Sequence, residues 1–180
     1  MATLISGSTG VNKITDGTIT NADIASGAAI AGSKLVMPTG SVLQVVHTNY
    51  GTTVNTSSDS MVDTGLQASI TPQSTSNKIL ISVNVSDPFK NTTGTSGGID
   101  MRIVRGSTSI HAFALANLYT GTTMQNNGTP MSATYLDSPS STSSTTYKVQ
   151  YKRYASAGGY SVGINASGGI STLTLTEIAG

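Results

Sequence analysis

Between Lys78 and Ser86 the chain alternates, with Ile79, Ile81, Val83 and Val85 on one side of an extended backbone and Leu80, Ser82 and Asn84 on the other. A period of two is the mark of a strand whose one face is buried, and β-branched residues pack well on a pleated surface. No Gly or Pro interrupts the run between Pro72 and Pro88, so residues 78–86 are predicted as a central strand. Similar alternation recurs on both sides. It predicts strands over residues 41–47, 61–70, 99–105, 109–116, 131–137, 145–154, 160–165 and 172–178. In residues 145–154 the apolar set is Tyr147, Val149 and Tyr151, with Lys148, Gln150 and Lys152 opposite; at the end Leu173, Leu175 and Glu177 alternate with Thr172, Thr174 and Thr176. Turn-forming clusters separate these runs and no segment has a helical period. Many short strands at regular spacing predict an all-β fold, a jelly-roll-like antiparallel β-sandwich over residues 40–180. The last strand is expected to pair, because such sandwiches bring terminal strands together.

Before Pro38 the pattern changes. Ile14, Ile19, Ile24, Ile30 and Leu35 stand 5, 5, 6 and 5 residues apart, each among small or turn-forming residues such as Asp16-Gly17 and Ser26-Gly27. This spacing fits neither a helix nor a simple strand, and the two units look alike. A single extended chain of this kind cannot cover its own aliphatic row, so neighbouring copies are expected to do so. Residues 1–39 are therefore read as an extended repeat for attachment or trimerisation, with a boundary at Pro38-Thr39-Gly40. A flexible linker with unrelated isoleucines, or a short pentapeptide-type coil, is the competing reading.

Composition narrows the function classes. Only 9% of the 180 residues are charged and the net charge is +1, whereas Ser and Thr number 54. With nine basic residues scattered singly, no basic surface exists for a polyanion, and nucleic-acid binding is not expected. No apolar run is long enough to cross a membrane as a helix. The N-terminal Met1-Ala2-Thr3-Leu4-Ile5 has neither a basic region nor a long apolar stretch, so synthesis in a cytoplasm is expected. The absence of Cys excludes disulfide frameworks, thiolate metal sites and cysteine nucleophiles. The recurrent Val/Ile alternation and seven Tyr argue against disorder despite the low charge.

The stretch "ITDGTITNADIASGAAIAGSKL" resembles the shaft or collar repeats of bacteriophage tail fibres and related virion appendages. The remainder is similar to the β-sandwich tips of such proteins, in its opening "GSVLQVV", its closing "STLTLTEI" and the stretches "ITPQSTSNKILISVNVS" and "TTYKVQYKRYASAGG". The resemblance implies a non-enzymatic, homotrimeric virion component that meets other virion proteins through its N-terminal segment. The shortness of the shaft fits a short spike or fibre, or a capsid decoration protein, better than a long fibre.

Catalytic and metal chemistry is weakly represented. His47 and His111 each lie in a predicted strand with no carboxylate-rich motif beside them. Asp59 and Asp63 are near enough for a calcium loop or an acid pair, and Glu177 with Asp100 or Asp137 is the one candidate for a glycosidase pair. A polysaccharide-cleaving enzyme is thus the alternative from another class; no catalytic residue, metal ligand or cofactor is assigned. Recognition fits better, since long polar loops on a rigid sandwich are where contacts are made. Tyr119, Asn126, Asn127, Tyr154 and Tyr160 are the candidates for stacking on, and hydrogen bonding to, a glycan or receptor.

Overall fold

A computed structural model describes residues 35–91, 96–120, 129–154 and 159–180. The chain divides into two units, Met1–Val36 and Met37–Gly180. Of the aliphatic row in the first unit only Leu35 is described, and it is half-exposed; Ile14, Ile19, Ile24 and Ile30 lie outside the described residues.

The second unit is built from β1 (Val42–Tyr50), β2 (Val54–Thr56), β3 (Val62–Ile70), β4 (Lys78–Val85), β5 (Phe89–Asn91), β6 (Gly97–Arg105), β7 (Thr108–Thr120), β8 (Met131–Asp137), β9 (Thr145–Arg153), β10 (Ser161–Ile164) and β11 (Ser171–Ile178). Two four-stranded antiparallel sheets form, ordered β1-β11-β4-β8 and β3-β9-β6-β7. The chain passes from sheet to sheet through β1, β3, β4, then β6 and β7, then β8, β9 and β11, the two interlocked Greek keys of a jelly roll. The expected pairing of the terminal strands is present, running from Val42↔Ile178 to Tyr50↔Ser171.

Strand alternation explains the core. Ile79, Ile81, Val83 and Val85 of β4 and Leu173 and Leu175 of β11 meet Ile99, Met101 and Ile103 of β6 and Tyr147, Val149 and Tyr151 of β9. Where the sequence has a period of two, the burial does too: β11 reads buried and half-buried in strict turn from Ser171 to Ile178.

Register fixes the two ends. The end of β1, the start of β11, the end of β4 and the start of β8 are level, through Tyr50↔Ser171, Thr172↔Asn84 and Val85↔Met131. In the other sheet Val62↔Tyr151, Ile99↔Arg153 and Gly97↔Thr120 put the corresponding ends level. The connections β1–β3, β4–β6, β7–β8 and β9–β11 therefore emerge at one end, here the loop end. Three of them carry the short strands β2, β5 and β10, which pair as a separate sheet ordered β2-β10-β5. The chain enters at the opposite end, the base, where Gly40 N donates to Ala179 O at 2.8 Å.

Candidate functional site

At the loop end a single asparagine ties three connections together. Asn165 adopts the left-handed conformation (φ 59°). Its Nδ2 donates to Tyr50 O (2.9 Å) and Thr52 O (3.1 Å), and its Oδ1 accepts from Ser171 Oγ at 2.6 Å. Ser171 Oγ in turn accepts from Ser86 N at 2.9 Å. Gly163, at the centre of the small sheet, has no room for a Cβ, which would strike the Val54 carbonyl and the Phe89 ring. This end of the sandwich is thus a braced platform.

The sequence-derived contact residues divide on it. Tyr119, at the end of β7, and Tyr154, just past β9, are 57% and 49% exposed, and their rings meet edge to face with centroids 5.9 Å apart. Thirty-five positions apart in sequence, they form one aromatic patch. Tyr160, in contrast, is fully buried, so the expectation that it contacts a ligand is corrected. Gly97 leaves the space its ring occupies, its hydroxyl donates to Gly98 O at 3.3 Å, and the Lys90 ammonium and Arg153 guanidinium lie 5.4 and 5.3 Å from its centroid. Burial holds the Lys90 ammonium below the usual lysine range. Asn126 and Asn127 lie outside the described residues.

At the same end, the open edge between β7 and β8 holds a cleft of about 220 Å³, lined by residues including Phe113, Asn117, Leu118, Met131 and Ser132. The sequence alone does not show it, because alternation there predicts a strand only as far as Ala116. The strand continues to Thr120 through a series of register shifts against β6.

The outer faces of the two sheets differ in charge. On the second sheet an ion-paired lattice covers the surface: Lys148–Asp63 (2.7 Å), Lys152–Asp100 (3.3 Å) and Arg102 onto Gln150 (2.8 and 3.0 Å). The bond from Lys148 holds the Asp63 carboxyl below its ordinary range. The outer face of the first sheet carries Val45, His47 and Asn49 on β1, Thr172, Thr174 and Thr176 on β11, Leu80, Ser82 and Asn84 on β4, and Ser132, Thr134 and Leu136 on β8. Lys78 is the one charged residue on that face among the described residues.

The candidate catalytic groups are engaged elsewhere. His47 bonds Thr174 Oγ1 and Asn49 Oδ1 at 2.8 Å each on β1, while His111 stacks on Tyr135 with centroids 4.9 Å apart. Asp59 and Asp63 pair with different cations, Arg153 and Lys148. No group of three or more His, Cys, Asp or Glu that could hold a metal ion occurs among the described residues. At the base, Glu177 is fully buried and accepts from Gln44 Nε2 (2.5 Å), Gln73 N (2.7 Å) and Asn77 Nδ2 (2.6 Å). Asp137 receives two bonds from Arg105 Nη1 (2.9 and 2.8 Å) and one from the Tyr147 hydroxyl (2.6 Å). Ile79 pairs with both Glu177 and Asp137, so these carboxylates share a row two strand spacings apart, about 10 Å between backbones. Each has its oxygens taken up by neighbours that hold strands and loops together, which is a structural use. Burial first, and then the Asp137 carboxylate, push the Tyr147 phenol far above its usual range.

No family model and no curated protein matches the chain. Among solved structures, it is similar to the VP2 subviral particle of infectious bursal disease virus, at 13% identity and a TM-score of 0.43, covering 84% of this chain and 42% of that one. It is also similar to the structure of the Gx strain of infectious bursal disease virus, at 14% identity and a TM-score of 0.39, covering 84% and 46%. The chain spans less than half the length of either neighbour.

Proposed function

We propose that the protein is a non-enzymatic structural component of a bacteriophage particle, a short trimeric fibre or spike that meets other virion proteins through its N-terminal repeat. The observation that carries this reading is the polarity of the jelly roll. The chain enters at the base, and the four long connections with the exposed Tyr119–Tyr154 patch emerge at the opposite end. A segment attached at the base would leave that end free to meet a host surface. Glu177 and Asp137, each committed to a structural hydrogen-bond set, support a binding part over a hydrolase. Capsid decoration is the second reading, favoured by the nearly uncharged outer face of the first sheet, which suits broad contact with a shell. Light scattering tests the spike reading. The full chain is expected at three times its 18.3 kDa mass, and Ile19→Ser with Ile24→Ser is expected to dissociate it. A lone chain at micromolar concentration overturns the trimer.

A further inference from the structure

In a regular strand, neighbouring side chains point to opposite faces, yet Asn117 and Leu118 both line the cleft between β7 and β8. The backbone explains how. Ala116 and Leu118 both have positive φ (52° and 56°), conformations that a residue with a Cβ adopts only under strain. The distorted segment is held by a buried carboxylate: Asp100 Oδ1 accepts from Ala116 N at 2.8 Å while its Oδ2 pairs with Lys152 at 3.3 Å. Strain persists only where the surroundings enforce it, and here its result is the shape of a cleft.

The lining has a definite chemistry. Phe113, Leu118 and Met131 are half-buried or buried and give an apolar floor; Asn117, Thr129 and Ser132 are exposed and give amide and hydroxyl groups at the rim. Asn117 Oδ1 accepts from its neighbour Leu118 N, which leaves Nδ2 as a directed donor. Among the described residues no charged side chain lines the cleft. A ligand that offers an apolar face on one side and neutral hydroxyls around its rim matches this surface. The exposed Tyr119–Tyr154 pair lies at the same end of the sandwich.

We infer that this cleft binds a neutral hexopyranose unit of a glycan, with its ring face on Phe113 and Leu118 and its hydroxyls on Asn117 and Ser132. The inference gives the surface-contact part of the proposed function its site and ligand class, and it rests on that reading. The test is an amide-shift titration of the isotope-labelled full chain with methyl glucoside, methyl galactoside and methyl mannoside, and with sodium glucuronate as the charged arm. At least one neutral glycoside should give saturable shifts at Asn117, Leu118 and Ser132. Asn117→Ala should weaken it about fivefold, the equivalent of one neutral hydrogen bond, and Ser132→Trp, a substitution at an exposed strand position, should abolish it. Absence of saturable shifts with every neutral glycoside, shifts that survive both substitutions, or tighter binding of glucuronate would each overturn the inference. Such a failure leaves the trimer measurement untouched, so the two readings stand or fall separately.

Discussion

Replacing Tyr147 by Phe isolates one hydroxyl at the base of the sandwich. At neutral pH the change removes the bond to Asp137 Oδ2, while both Asp137 oxygens keep Arg105. A hydrogen bond to a charged group is worth about 1.5–3 kcal/mol, which sets the expected loss. Alkaline pH gives the sharper readout. The folded chain holds the Tyr147 proton to much higher pH than the unfolded chain, whose tyrosines ionise near pH ~10. The stabilisation is therefore complete below that value and lost as pH rises, by about 1.4 kcal/mol per pH unit for each retained proton. Tyr151, pushed up to about 12 mainly by burial, adds a second such proton in the same window. Lys90 acts in the opposite sense below pH ~10.5, because its folded form prefers to be neutral. Between pH ~10.5 and ~11.5 the native chain should then lose about 2.7 kcal/mol per unit and Tyr147→Phe about half that. Urea unfolding at a series of pH values measures both slopes, and the native advantage at pH 7 should have largely vanished by pH ~11.5. Parallel curves would refute the account of Tyr147.

Three further outcomes follow from particular contacts. Glu177→Gln turns an acceptor toward Gln44 Nε2 into a donor, and Gln44 cannot turn over without losing its bond to Thr71 O; urea unfolding should show a loss of ~1–3 kcal/mol, and a loss below ~0.5 kcal/mol would count against the network. Ala116→Gly relieves a positive φ worth ~1–2 kcal/mol against a backbone-entropy cost of ~0.5–1 kcal/mol, so stability should rise slightly, by ~0.5–1 kcal/mol. Gly163→Ala forces a Cβ against the Val54 carbonyl and the Phe89 ring, so hydrogen exchange should speed up in β2 and β5 while β4 and β11 stay protected.

Much of the architecture is legible in the sequence because burial enforces the strand period. In β4, β9 and β11 the chain turns inward the faces their sequences mark. The period fails where pairing, not patterning, makes the strand. β2 and β5 have three residues each, too few to show any alternation, and they exist because β10 lies between them. The far half of β7 fails for another reason: burial still alternates there, but Leu115, Ala116, Leu118 and Tyr119 put apolar residues on both faces, so the sequence marks no buried side. The positive φ of Ala116 and Leu118 leaves no mark in a run without glycine, which is why the cleft beside them is not legible either.

Glu177 and Tyr160 show that a position and its chemistry are separate pieces of information. The alternation of β11 places Glu177 inward, as the sequence has it, but the donors that make a buried carboxylate tolerable come from Gln44 on β1 and from Gln73 and Asn77 in the connection between β3 and β4. A sequence read in windows of a strand's length does not join these positions. Tyr160 reads as a contact residue opening a predicted strand, yet it is buried, and the space it fills is left by Gly97 in β6. Tyr119 and Tyr154 are the converse case, two residues at the ends of separate strands that only the sandwich makes neighbours. A test of that neighbourhood is direct: if the two rings form one contact patch, Tyr119→Ala should shift the ring resonances of Tyr154 while leaving those of the buried Tyr147 and Tyr151 in place. Unchanged Tyr154 resonances would separate the rings and divide the loop end into unconnected surfaces.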